Sequence, residues 1–228
     1  MVPPNLPNPP KTTLALMAYR SVLPETMLSI VRELRIWPEL QFAWGGNHAL
    51  IEQTRSIVAT KFLEGKLPTG DVLFMVDHDI SWQAGDVRAL ATEARKLKGI
   101  VSGVYSGRRF GGGTPIRSGL GSVNVNLDRR WHAITATLVP GGFLAINREV
   151  LTELAKRLPR MKPKFSAEEG FIPFFHTEIV GGELLSEDWA FCDRVSEASF
   201  PIWAHFGPEL VHTGEHGFTL ADSIRRLE

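Results

Sequence analysis

Two pairs of carboxylates are placed to do chemistry together. Asp77 and Asp79 flank His78 where the apolar run VLFMV (72–76) ends. Two carboxylates one residue apart at a strand end can share one hard divalent cation. Mg²⁺ or Mn²⁺ suits such oxygen ligands and can bridge to a diphosphate. Glu187 and Asp188 follow Ser186 at a predicted helix start. Ser186 is expected to cap that helix, with the acids at its positive end, where they stabilise it. Pro140-Gly141-Gly142-Phe143 is a turn whose glycines let backbone approach a ligand closely. His212 and His216 bring two imidazoles late in the chain.

These residues need elements to position them, and hydrophobic periodicity supplies candidates. TTLALMAY (12–19), LQFAWG (40–45), DVLFMVDHDI (71–80) and GIVSGVYS (99–106) read as strands. Between them, helices are expected from Pro24 to about Ile36, from His48 to Glu64 and from Asp86 to Lys98. Leu50, Ile51, Val58 and Phe62 form the expected inner face of the second helix. The continuous apolar run of 71–80 predicts a strand buried on both faces, as in a parallel sheet. Alternating strand and helix predicts a doubly wound α/β domain, in which ligands bind at the carboxyl ends of strands. Farther on, VNVNL (123–127) and HAITATLV (132–139) alternate as an antiparallel pair around Asp128-Arg129-Arg130. PGGFLAINREVL leads into a helix ending near Pro159. SEDWAFCDRVSEA (186–198) reads as a helix, and PIWAHFGPELVHTG holds one or two short strands. The glycine-rich stretch 110–122 is expected to be a mobile flap, because no Lys-Ser/Thr follows Gly111-Gly112-Gly113 as a phosphate loop requires.

The totals limit the function classes. With 228 residues and 43% apolar side chains, the chain can bury a substantial core. The 25 basic and 25 acidic side chains balance to a net charge of zero, which excludes a globally basic nucleic-acid binder. One cysteine, Cys192, cannot form an internal disulfide, and a reducing compartment is the natural reading. No apolar run approaches the roughly 20 residues that span a bilayer. The proline-rich start MVPPNLPNPP lacks the apolar core of a signal peptide, so residues 1–11 are expected to be an extended arm and the protein cytoplasmic.

VLFMVDHDI resembles the Asp-X-Asp motif of GT-A glycosyltransferases, and the resemblance runs from about Thr12 to Phe218. SEDWAFCDR is similar to the Glu-Asp motif that opens a helix in the inverting members, including the run into an arginine at Arg194. The chain thus resembles an inverting, family-2-like enzyme of the compact bacterial or phage type. The resemblance implies a GT-A-like, doubly wound mixed sheet flanked by helices in a single domain spanning 12–228. Within it, 12–106 would bind nucleotide-sugar and 107–228 the acceptor.

The resemblance also assigns roles. Asp77 and Asp79 would bind Mn²⁺ or Mg²⁺ and the donor diphosphate around His78, with Asp77 toward the ribose and sugar and Asp79 on the metal. His212 would be a third metal ligand, with His216 as the competitor. The loop Ala18-Tyr19-Arg20 would cup base and ribose, Tyr19 stacking on the base and Arg20 meeting phosphate. Arg55, in IEQTRSIVATKFL, stands where the family has an arginine facing the donor, although Ser56 replaces a frequent asparagine. Gly141 and Gly142 would lie beside the sugar. Asp188 would be the catalytic base, with Glu187 its neighbour, taking the proton from an attacking hydroxyl.

The expected activity is therefore transfer of a sugar from a nucleotide-sugar, UDP-linked by resemblance, to an acceptor hydroxyl with inversion. A retaining relative, a nucleotidyltransferase and a non-catalytic nucleotide-sugar-binding module are the alternatives. The acceptor is open among a saccharide, a protein, a small molecule and a hydroxymethylated base in DNA. For DNA, Arg108, Arg109, Arg117, Arg129 and Arg130 would meet phosphates.

Overall fold

The computed structural model describes residues 9–46, 48–107, 133–162, 169–214 and 217–219. Seven strands make the main sheet, in the order β2-β1-β3-β7-β5-β10-β6. They are β1 (Thr12–Met17), β2 (Gln41–Gly45), β3 (Val72–Asp77), β5 (Ile100–Gly103), β6 (Ala133–Thr135), β7 (Phe143–Asn147) and β10 (Ile202–His205). A second sheet joins β4 (Ile80–Ser81), β11 (Val211–Thr213) and β12 (Gly217–Thr219), and β8 (Glu178–Val180) pairs with β9 (Glu183–Leu185) as a hairpin. Helices α1 (Pro24–Ile36), α2 (Ile51–Leu63), α3 (Asp86–Leu97), α4 (Arg148–Arg157) and α5 (Glu187–Glu197) complete the fold. The architecture is the expected mixed α/β one, with helices flanking a central sheet.

Side chains of β1 and β3 alternate between two cores, as the strand period of two requires. Leu14, Leu16, Phe74 and Val76 enter the core that contains Ile30 of α1 and Leu90 of α3. Ala15, Met17, Leu73 and Met75 enter the other, with Phe62 of α2, Leu151 of α4 and Phe191 of α5. Local chemistry sets the helix ends. Pro24 opens α1, where a missing N–H costs nothing. Gly85 precedes α3 at φ 101°, a left-handed conformation that suits glycine. The Asn147 side chain accepts the Glu149 N–H at the start of α4.

Several sequence expectations move. The third strand stops at Asp77, and Ile80–Ser81 leaves the main sheet to pair with β11. The second helix begins at Ile51 rather than His48, so Leu50 and Ile51 are 53% and 38% exposed, outside the expected inner face. Ala133–Thr135 pairs with β10. The expected partner VNVNL, the flap at 110–122, His216 and the arginines at 108, 109, 117, 129 and 130 lie outside the described residues. The stretch after Pro159, aperiodic in sequence, contains the β8–β9 hairpin.

One reversal matters most for function. β1, β2 and β3 are mutually parallel, and β7 runs antiparallel between β3 and β5. Its amino end, with Gly141 and Gly142 just before it, therefore lies at the carboxyl end of β3, beside Asp77.

Candidate active site

Asp77 ends β3, and its backbone N–H donates to the Gly142 carbonyl at 2.9 Å. Its carboxylate receives Nη2 of Arg55 at 2.9 Å on both oxygens, while Nη1 of the same guanidinium reaches Glu187 Oε1 at 2.7 Å. Arg55 projects from α2 and is 3% exposed. Burial alone disfavours its cation, but Asp77, Glu187 and Asp188 outweigh that and hold the guanidinium above its ordinary value. Glu187 responds in the opposite sense: burial is the largest influence and raises it above its ordinary range, against the pull of Arg55. A Cβ on Gly141 would stand 2.7 Å from Arg55 Nη1, so this turn needs its glycine for the guanidinium to lie there.

Asp188 sits in the first turn of α5. Its Oδ2 accepts the Gly141 N–H at 3.3 Å, and its Oδ1 accepts the Trp189 N–H at 2.9 Å and the Ser186 hydroxyl. Ser186 occupies the N-cap position as expected, yet its hydroxyl makes no cap bond to the helix backbone. It donates to Asp188 instead, and the Trp189 N–H, which a capping hydroxyl would accept, goes to the same Asp188 oxygen.

Asp79 is 3% exposed and lies on the opposite side of His78. The short β4–β11 pairing sets Ile80 opposite His212, and the Thr213 N–H donates to the Asp79 carbonyl at 2.9 Å. His212 Nε2 is thereby 3.7 Å from Asp79 Oδ2. Its Nδ1 is 3.0 Å from the Ser106 carbonyl. A carbonyl only accepts, so that nitrogen carries the proton, which leaves Nε2 as the ring nitrogen that can ligate a metal. Asp79 and His212 can therefore hold one divalent cation between them. No group of three His, Cys, Asp or Glu side chains with metal-binding geometry occurs among the described residues. A cation here would draw its remaining ligands from donor oxygens and water. The imidazole nitrogen favours Mn²⁺ over the harder Mg²⁺.

The loop after β1 closes the site at its other end. Ala18 is buried, and its N–H donates to the Gly45 carbonyl at 2.9 Å. Tyr19 is 46% exposed, with the Arg20 guanidinium 4.9 Å from its ring centroid. His78 is half-buried, and its carbonyl accepts the Leu23 N–H. Trp44, at the end of β2, is 51% exposed, and a Cβ on Gly46 would meet its Nε1 at 2.1 Å and the Ala18 carbonyl at 3.0 Å. The indole therefore lies across Gly46 beside the β1 loop.

The fold is GT-A-like. No protein-family profile and no curated protein sequence matches the chain. Two solved structures show the architecture. Protein A197 from STIV superposes with a TM-score of 0.58 at 17% identity, covering 90% of this chain and 86% of its own. GalNAc-T7, crystallised with UDP, GalNAc and Mn²⁺, gives 0.56 at 12% identity over 96% of this chain. The chain spans about half of GalNAc-T7, 47% of its length.

Within this GT-A-like frame, one cluster gathers Arg55, Asp77, Gly141, Gly142, Glu187 and Asp188. Asp79 and His212 form a pair behind His78. Ala18, Tyr19 and Arg20 follow the neighbouring strand. Sequence reasoning missed two residues. Trp44 is not marked by sequence pattern, and its position at a strand end before two glycines is the available signal. Tyr105 was read only as part of a strand, although it is one of two tyrosines in the chain. Its hydroxyl accepts the Gly142 N–H at 3.0 Å.

Proposed function

We propose that the protein is a metal-dependent glycosyltransferase that moves a sugar from a UDP-linked donor to an acceptor hydroxyl with inversion. The observation that carries this reading is the meeting, at one end of the sheet, of the Asp79–His212 pair with a glycine turn that orients Asp188. Donor diphosphate would lie at Asp79 and His212, and its base against Tyr19 and Trp44, with Arg20 toward phosphate. Arg55 holds Asp77 so that its carboxylate faces donor hydroxyls rather than turning away. In this reading residues 12–106 supply most donor contacts and 107–228 the acceptor side, with His212 crossing over to the donor.

Asp188 takes the proton from the attacking acceptor hydroxyl, its orientation set by Gly141, Ser186 and Trp189. A carboxylate so placed contributes about 10²–10⁴-fold in rate. Glu187, paired to Arg55, keeps the start of α5 against the donor side. Mn²⁺ or Mg²⁺, held by Asp79 and His212, would stabilise negative charge on the departing diphosphate.

The test is calorimetry of UDP with and without Mn²⁺, followed by hydrolysis of a panel of UDP-sugars. The expected result is UDP binding that requires Mn²⁺ and slow release of sugar from at least one donor. Tight binding with no turnover would make the chain a binding module, and no metal-dependent binding at all would remove the reading. Saccharide, peptide, small-molecule and hydroxymethylated-DNA acceptors then enter a transfer screen with the active donor.

A further inference from the structure

Tyr105 touches both sides of the site. It stands two residues beyond β5 and is 7% exposed. Its ring meets that of His212 edge-on, with centroids 5.1 Å apart at 75°. Its hydroxyl accepts the N–H of Gly142, a buried residue just ahead of β7. A buried backbone N–H needs a partner, and for Gly142 the phenol oxygen is that partner. The fit is close: a Cβ on Gly142 would stand 2.4 Å from the hydroxyl oxygen and 3.0 Å from Asp77 Oδ2. The adjacent N–H, on Gly141, is the one that Asp188 Oδ2 accepts. Burial, and then Asp77, push the phenol above its ordinary value, so the group stays neutral and keeps its proton.

We propose that Tyr105 is a positioning residue with two separable parts: its hydroxyl holds the Gly141–Gly142 turn in the place from which Gly141 orients Asp188, and its ring holds His212 against Asp79. The proposal rests on the glycosyltransferase reading, and it assigns the hydroxyl to the proton-transfer side and the ring to the metal side. A phenylalanine keeps the ring and leaves the Gly142 N–H without its partner, so the turn and Asp188 shift together. Displacements on the order of 1 Å at a reacting centre cost about 10²-fold.

The experiment uses the full chain, with UDP plus Mn²⁺ as the binding probe and single-turnover hydrolysis of the active UDP-sugar as the chemical one. Tyr105→Phe is expected to leave the Mn²⁺-dependent Kd for UDP within about twofold and to slow hydrolysis by roughly 10–100-fold. In an Asp188→Asn background the same change should cost less than about twofold, because groups acting through one another are not additive. Tyr105→Leu, which loses the ring as well, should also weaken Mn²⁺-dependent UDP binding by about 10-fold or more, as removal of a ligand's outer support does.

A Tyr105→Phe enzyme that hydrolyses within twofold of wild type overturns the proposal. So does an equal loss with and without Asp188, or a Tyr105→Phe loss of UDP affinity as large as that of Tyr105→Leu. A wild-type protein that neither binds UDP with Mn²⁺ nor hydrolyses any donor overturns the glycosyltransferase reading itself, and this assignment with it.

Discussion

Among the described residues, acids lie in the interior or at its edge in two places, and the two are treated differently. Between α1 and α3, Glu33 is fully buried and accepts the Gly85 N–H at 2.8 Å, the Trp82 indole N–H at 3.2 Å and the Arg88 N–H at 3.3 Å. Burial is the largest influence there and raises Glu33 above its ordinary value. Asp86 beside it is pushed up to about 7, first by burial and then by Glu33 and Glu209. At the end of β3, by contrast, Asp77 and Glu187 are ion-paired to a buried arginine and keep 23% and 20% of their side-chain surface exposed. The first cluster is closed: its carboxylates sit at the start of α3 and are served by backbone and indole donors. The second is more open: Asp77 and Glu187 share the Arg55 guanidinium, and Asp188 lies beside them on the Gly141 N–H. A buried acid with an unusual proton affinity therefore does not mark a functional site by itself. In the proposed reading the mark is acids paired to a buried arginine with solvent access at a strand end.

The sharpest way to break this comparison is Asp79→Ala. It should abolish Mn²⁺-dependent UDP binding, a loss beyond the roughly 10–100-fold that outer-shell partners of metals cost. The melting temperature without nucleotide should stay near wild type. Calorimetry reads the first quantity and a thermal melt the second, and an unchanged metal-dependent affinity would remove Asp79 from the metal site.

Asp188→Asn comes next. The variant is nearly isosteric, and its single amide oxygen can keep one of the two backbone bonds, to Trp189 or to Gly141. Hydrolysis or transfer should fall by about 10²–10⁴-fold, with UDP affinity close to wild type. Near wild-type turnover in a folded variant would leave Asp188 as an ordinary first-turn acid and return the base to another group.

Arg55→Met separates the clusters by stability. Removing one partner of a buried pair costs roughly 3–5 kcal/mol. Partial exposure of Asp77 and Glu187 places the expected loss near the low end, about 3 kcal/mol, or a melting temperature lower by roughly 6–12 °C. A melt indistinguishable from wild type would mean that water serves those acids as well as the guanidinium does.

The last effect is expected in the closed cluster and is read by its sign with pH. Asp86 has a folded value raised from 3.8 to about 7. Its protonated form therefore favours the fold: the contribution is full below about pH 4 and is lost as pH rises through 7. Asp86→Asn should flatten that fall in stability between pH 4 and 7 and be relatively more stable at pH 8. Loss of a first-turn negative charge costs about 0.3–1 kcal/mol and offsets only part of the gain, so the variant should melt higher than wild type at pH 8. Melts across pH 4–8 measure the slope, and parallel curves for both proteins would show that Asp86 is ionised throughout.

Much of the fold is legible in local pattern. Pro24 before a periodic stretch marks α1 to the residue, and the run VLFMV marks five fully buried residues of β3. Misreadings arise where distant segments decide the outcome. Ile80 and Ser81 continue an apolar run, but pairing with Val211 and His212 draws them into another sheet. Leu50 and Ile51 have helical spacing, but they stay largely exposed at the start of α2. The Ser186 hydroxyl, a good cap by type, is taken by Asp188.

What the sequence determined by itself was chemistry along the chain: an aspartate pair at a strand end, acids opening a helix, a glycine pair before a strand. Each follows from hydrophobic period and terminal preference within a dozen residues. Only the tertiary structure decided which of these meet. The antiparallel insertion of β7 sets Gly142 beside Asp77, the two-residue β4 brings His212 to Asp79, and Arg55 finds Glu187 across 132 positions of chain. An apolar strand pattern states that a segment is buried and leaves open both its neighbours and its direction. Those are settled by the competition of all segments for one core, which no local stretch encodes.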